Sequence, residues 1–258
     1  MTFDPFPAAF ELQRHWHERL VVGGLPPAIA PRTEAEGVMV QHTVAALLHA
    51  IPPGGFKLGA TGRRMQAYLG IQAPIAGFMR SADIYRGHAE LPFTYFLHPG
   101  VECEVAVRLA HDLPPGPCSL DQALAAVGEF CAGIEIVENR YDGAVGMPIL
   151  LADQMYHAAA VIGDEGEVDW RDLDIGALRG SIAIKGGKTD EGVTTDLLGH
   201  PLNGLAWLAG SPLAAAFGGL KEGQVIMLGS VTPPVWLDGP AEVTVSFPPM
   251  PSVTLTLT

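Results

Sequence analysis

From FKLGAT at 56–61 onward, the chain is cut into short β-like runs separated by glycine and proline, which excludes a helical bundle. The runs are ECEVAVRL, GIEIVE, GSIAI, VIMLGSV, AEVTVSF and SVTLTLT. Such a pattern predicts a β-rich α+β fold whose mixed sheet rolls into a barrel-like form. Ahead of it the chain reads as mainly helical. Thr33 and Glu36 form a capping box, and Val40, Val44, Leu47 and Leu48 follow at helical spacing until IPPGG at 51–55 breaks the helix. A second capping box, Ser119 with Gln122, predicts a helix over LDQALAAVGEFCA, and NGLAWLAGSPLAAAF at 203–217 reads as another. The expected organisation is one structural unit, with residues 1–75 as an N-terminal helical or mixed subdomain and 76–258 as the β-rich domain.

Composition limits the functional classes. A net charge of −13, with no Lys/Arg cluster, argues against nucleic acid, and an anionic substrate would need a local cation. The three cysteines, Cys103, Cys118 and Cys131, lack CxxC spacing and fit a reducing compartment. MTFDPFPAAFELQRHW has no basic start followed by an apolar core, and no apolar run reaches membrane-spanning length. A cytoplasmic protein is expected. GGKT at 186–189 lacks the first glycine of a phosphate loop, Ile182 standing in its place. The serines at Gly210-Ser211 and Gly229-Ser230 fail the nucleophile-elbow pattern, and no HExxH occurs.

The residues richest in chemistry are acids inside apolar strands. In FLHPGVECEVAV, 96–107, Glu102 and Glu104 fall on one face and Val101, Cys103, Val105 and Val107 on the other. Glu135 interrupts GIEIVENR in the same way. Three carboxylates without a nearby Cys or His make an oxygen-donor set suited to Mg²⁺, Mn²⁺ or Ca²⁺. On spacing alone, acids on a wet sheet face are an equal alternative.

VECEVAV followed by GIEIVENR resembles the fumarylacetoacetate hydrolase superfamily, in its 2-hydroxypentadienoate (2-keto-4-pentenoate) hydratase and 4-oxalocrotonate decarboxylase branch. FKLGATGRRMQAYLGI, GHPLNGLAWLAG and LKEGQVIMLGSVT are similar to further blocks of that branch, in the same order. The resemblance implies that Glu102, Glu104 and Glu135 are ligands of Mg²⁺ or Mn²⁺. It further implies Lys57 and Asp83 as catalytic residues, and Thr61, Ser230 and Thr232 as the substrate-binding set. The implied activity is hydration of a 2-hydroxy-2,4-dienoate, with a small 2-oxo acid as the ligand and a homo-oligomeric assembly. A decarboxylase, an acylpyruvate hydrolase and a catalytically idle binding protein stay as alternatives. Departures from the branch are Gly62 for serine, Glu138-Asn139 for Asp-Ser, and Gln154 with alanines in LADQMYHAAAVIG, where the branch has Asn and glycines.

Overall fold

Thr33 accepts from the Glu36 N–H, and the Glu36 carboxylate reaches back to the Thr33 N–H, so the second helix starts where its capping box dictates. The computed structural model describes residues 2–164 and 166–258. In chain order the elements are α1 (Phe6–Glu18), α2 (Glu34–Leu47), β1 (Gly55–Gly59), α3 (Arg63–Leu69), β2 (Ile75–Met79), β3 (Ile84–Arg86), β4 (His88–Leu91), β5 (Pro99–Leu109), α4 (Leu120–Ala126) and β6 (Val127–Glu138). They continue with α5 (Met147–Ala152), β7 (His157–Ile162), β8 (Arg179–Ile184), β9 (Thr189–Val193), α6 (Pro201–Ala209), α7 (Pro212–Ala216), β10 (Val225–Ser230), β11 (Val235–Trp236), β12 (Ala241–Ser246) and β13 (Val253–Leu257).

Eight strands form one mixed sheet in the order β2-β1-β10-β5-β6-β7-β3, with β11 added beside β5. Only residues 80–83 separate edge strands β2 and β3 in the chain, and β2 also packs against β7, so the sheet curls toward closure. A five-stranded sheet, β4-β13-β12-β8-β9, packs on its outer side. The fold is α+β with a rolled mixed sheet, and β1 and β2 pair across residue 75. Among the described residues, no helix is long and apolar enough to cross a membrane.

Strand alternation divides the side chains between two interiors. Outward, Val101, Val105, Ile134 and Phe56 join Val44 of α2, Leu205 of α6 and Val245 of β12 in one continuous core. Inward, Met79, Ala106, Cys131, Ala160, Ile162, Val225 and Met227 fill the curl. The acidic strand positions share this second, narrower interior.

Two helices end earlier than their sequences suggest. The helix opened by Ser119 stops at Ala126, and Val127 begins β6 instead. β5 is eleven residues long and pairs with β6 as far as Val127, so ladder bonds across the sheet win over helical continuation. The segment 203–217 lies in two helices, α6 and α7, with the break at Gly210-Ser211 and Pro212 opening the second.

β2 is an edge strand, and a helix side chain satisfies its outer groups. Gln41 of α2, fully buried, donates to the carbonyls of Ala76 (3.2 Å) and Leu151 (2.5 Å) and accepts from the Phe78 N–H (3.0 Å). One amide thus does the work of a neighbouring strand and fixes α2 against β2. Gln41→Leu, with similar bulk and no donor, leaves three buried backbone groups without partners. Denaturant unfolding is expected to register a loss of about 2–5 kcal/mol, and a change below about 0.5 kcal/mol would contradict this assignment.

Candidate active site

The antiparallel register of β5 and β6 sets Glu102 directly opposite Glu135, with Glu104 two residues further along the same face. Each offers an oxygen, and these oxygens lie within 4.8 Å of one another. Glu104 and Glu135 are fully buried, while Glu102 keeps some accessible surface. The wet-face alternative therefore fails: the trio faces the inside of the curled sheet.

Lys57 supplies the opposing charge. It enters from β1, whose register places it beside Met227 of β10, which in turn lies beside Ala106. Its Nζ stands 3.3 Å from Glu135 Oε1 and donates to the Met155 carbonyl at 2.7 Å. The same Glu135 oxygen lies 2.8 Å from His157 Nδ1. Glu104 Oε2 accepts from the Gly229 N–H at 2.9 Å. Gly229 has φ of +105°, and a Cβ there would collide with the Thr61 side chain, so only glycine presents this N–H so closely.

These contacts leave a pattern. Glu135 and Glu104 each have one oxygen tethered and one, Oε2 and Oε1 respectively, without a hydrogen-bond partner among the described residues. Buried, unpartnered carboxylate oxygens are costly unless a cation or proton meets them. Burial, reinforced by the neighbouring Glu135 charge, pushes the Glu102 carboxyl up to about 8, and burial also raises Glu104 well above the usual carboxylate range. Burial pushes Glu135 upward too, but Lys57 and the His157 hydrogen bond outweigh it and hold that carboxyl below its ordinary value. One lysine cannot neutralise three acids. The remaining negative charge and the hard-oxygen donors fit a divalent ion held by Glu102, Glu104 and Glu135.

The remaining predicted residues divide. Thr61, 3 % exposed, packs over Gly229 beside the trio. Ser230 lies opposite Glu104 in the β10–β5 register, but its hydroxyl donates to the carbonyls of Cys103 (3.2 Å) and Thr232 (2.8 Å). It ties down the irregular end of β10. The buried Thr232 hydroxyl has no partner among the described residues. Asp83 is held apart, with both oxygens on Arg80 at 2.5 and 2.9 Å. It lines a cavity of about 220 Å³ together with Arg80, Arg140, Trp16, Tyr85 and His157. That cavity approaches the trio through His157.

Sequence reasoning missed His157, the Met155 carbonyl and the Gly229 N–H. Only the last had a local signal, since a glycine before Ser230 in an apolar strand marks an irregularity. Also unseen was a buried network behind the site. Asp153 accepts from Trp16 Nε1 (2.5 Å), Arg140 Nε (3.1 Å) and the Tyr141 hydroxyl (2.7 Å), and Arg140 also binds Glu138 at 3.0 Å.

No protein-family model matches the chain. It is similar to a 2-keto-4-pentenoate hydratase of Burkholderia vietnamiensis, 30% identical over 188 residues that cover 70% of this chain and 69% of that protein. The chain belongs to the 2-keto-4-pentenoate hydratase and 4-oxalocrotonate decarboxylase branch of the fumarylacetoacetate hydrolase superfamily. Within that branch it is also similar to a 4-oxalocrotonate decarboxylase of a Pseudomonas species, 29% identical over 213 residues, 80% of this chain and 79% of that one. In three dimensions it resembles the 4-oxalocrotonate decarboxylase from Pseudomonas putida G7 complexed with magnesium and adipate. That match has a TM-score of 0.88 at 23% identity and covers 98% of this chain and 97% of that one. The fumarylpyruvate hydrolase from Pseudomonas aeruginosa, in complex with Mn²⁺ and pyruvate, superposes with a TM-score of 0.61 at 12% identity, covering 79% and 88%. These likenesses establish the fold of the branch.

Raised carboxyl groups make cation binding depend on pH. Burial pushes the Glu102 carboxyl up to about 8 and raises Glu104 well above the usual carboxylate range, so an incoming ion must displace protons. Apparent Mn²⁺ or Mg²⁺ affinity is expected to rise between pH 6 and 8 with net proton release, read by titration calorimetry in buffers of different ionisation enthalpy. Affinity flat across that range, with no proton released, would contradict the assignment.

Proposed function

We propose that the protein is a divalent-metal-dependent hydro-lyase that adds water to a 2-hydroxy-2,4-dienoate to give a 4-hydroxy-2-oxo acid. The observation that carries this reading is the convergence of Glu102, Glu104 and Glu135 on the inner face of the curled sheet, with Lys57 against them. Support for the reaction class comes from the branch relatives, among them the 2-keto-4-pentenoate hydratase and a 2-hydroxyhexa-2,4-dienoate hydratase of Comamonas testosteroni at 30% identity.

Glu102, Glu104 and Glu135 would hold Mg²⁺ or Mn²⁺. When bound, such an ion supplies a Lewis acid for the carboxylate and 2-oxo oxygens of the substrate and offsets the chain's acidic field. The protein's own groups do the rest. Lys57 has three donors, of which one meets Met155 and one Glu135, leaving the third for a substrate oxygen. The ammonium so placed favours the enolate form that develops as protons move along the conjugated chain. Thr61 and Thr232, buried beside Gly229 and Ser230, border the same end of β10 and are assigned to substrate contact. Asp83, through Arg80, is assigned to the cavity on the far side of His157, where it would order the charges that meet the substrate's distal end. Overall, water gives its hydroxyl to C4 and its hydrogen to the carbon chain, and the proton of the 2-hydroxyl moves to carbon as the enol becomes the 2-oxo group, with no redox change.

The assay is loss of the dienoate's ultraviolet absorbance in the presence of Mg²⁺ or Mn²⁺. Turnover is expected to vanish with EDTA, to return on metal addition, and to fall by at least about 10²-fold in Glu104→Gln and Lys57→Met. Activity that survives EDTA and Glu104→Gln would sink the mechanism. Stoichiometric CO₂ in place of the hydroxylated product would assign the decarboxylase reaction instead.

The same reading carries a cytoplasmic setting and homo-oligomeric assembly. Three cysteines without disulfides support the first. Large apolar side chains left exposed on α1 support the second, with Phe6 and Phe10 stacked 6.3 Å apart. Sedimentation is expected to give a multiple of 27.2 kDa, and a single species of that mass would refute self-association.

A further inference from the structure

His157 opens β7 at the end of an unusual stretch of backbone. Gln154, Met155 and Tyr156 are three successive non-glycine residues in the left-handed region, with φ of +56°, +51° and +65°. Each such residue costs about 1–2 kcal/mol, so the conformation persists only where its surroundings impose it. They do so from three directions. The Asp153 carboxylate is fixed by Trp16, Arg140 and Tyr141, and Arg140 also donates to the carbonyls of Asp153 (3.2 Å) and His157 (3.1 Å). The Gln154 carbonyl presses on Gly77, where a Cβ would lie only 2.7 Å from it. The Met155 carbonyl receives Lys57. The result of this strain is specific: the His157 ring, 3 % exposed, is carried to Glu135.

The contact has a defined polarity. Glu135 lies between a lysine and an imidazole and is ionised, so its Oε1 accepts and His157 Nδ1 is the donor. Lys57 and His157 both engage Oε1 and neither engages Oε2. Lys57, at 3.3 Å and shared with Met155, is the looser of the two tethers. The shorter His157 bond would then be what keeps the carboxylate from rotating.

We infer that His157 is a positioning residue of the metal centre: its Nδ1–H holds Glu135 Oε1 so that Oε2 is presented to the ion. The assignment rests on the metal-binding reading of the trio and adds to it a residue from β7, outside the two acidic strands. Hydrogen-bonded partners of metal ligands typically contribute a factor of about 10–100 in metal affinity.

The test uses Mn²⁺ alone on full-length, metal-stripped protein, with free Mn²⁺ followed by its electron paramagnetic resonance signal and folding checked by thermal denaturation. His157→Ala is expected to weaken Mn²⁺ binding by about 10–100-fold. His157→Asn, whose amide nitrogen can take the place of Nδ1, is expected to recover most of that loss. His157→Gln, whose amide extends toward the Nε2 position, is expected to recover little. Wild-type affinity in folded His157→Ala, or recovery by Gln and not by Asn, would overturn the positioning role while leaving the metal site standing. If His157→Ala does not fold, the Asn and Gln variants carry the comparison alone. Failure of the wild-type protein to bind Mn²⁺ at all would overturn the metal reading and this assignment together.

Discussion

Three carboxylates and one ammonium buried within a few ångströms form the constraint around which the rest of this molecule is arranged. An acid in a sheet interior is tolerated only where hydrogen bonds and opposite charge replace the lost water. Here the replacements are unequal. Glu135 receives a lysine and a histidine, Glu104 a single backbone N–H, and Glu102 neither. The surplus negative charge is not a defect of packing, because one oxygen from each of the three acids lies within 4.8 Å of the others instead of being scattered. A site so built is stable as a fold only with protons or a cation in it, and that requirement is the physical basis of its function.

The surroundings answer that demand at several levels. Gly229 yields the side chain that would block its N–H, and Thr61 fills the space left. Ser230 gives its hydroxyl to the backbone, which stabilises the irregular end of β10 where that N–H is exposed to Glu104. Farther out, Trp16 of α1 reaches Asp153, and its ring lies 5.2 Å from the Arg140 guanidinium. Thus a helix from the start of the chain secures the loop that places both Met155 and His157. The N-terminal helices are part of the site's support as well as of the outer core.

The departures at Gln154, Ala158 and Ala159 fall in and beside this loop, and Gly62 lies apart from it. Gln154 turns its backbone onto Gly77, so the space there is set by the main chain and not by the longer amide. Ala158 and Ala159 line the adjoining cavity, where their methyl groups narrow it relative to glycine. Gly62 caps α3 without a side-chain hydrogen bond, so the hydroxyl missing at that position weakens a helix start and leaves the carboxylate trio untouched.

Much of this was legible in the sequence because it depends on local periodicity. The capping box fixed where α2 begins, alternation put Glu102 and Glu104 on one face, and Glu135 announced itself as an acid in an apolar strand. Even so, the strand pattern could not say whether that face was wet or enclosed; only the curl of the sheet, a sum of long-range pairings, decided it. The end of the Ser119 helix and the break at Pro212 were likewise settled by competition between local preference and distant partners. His157 lay beyond sequence reasoning for the same reason. The acid near it in the chain, Asp153, is taken up by Trp16, Arg140 and Tyr141, and its actual partner stands 22 residues away across a strand pair. The sequence by itself determined which chemical groups the chain owns and which face of each strand they occupy, because those follow from two- and three-residue geometry. Tertiary structure alone decided which groups meet, since register, closure and the left-handed loop are properties of the assembled sheet.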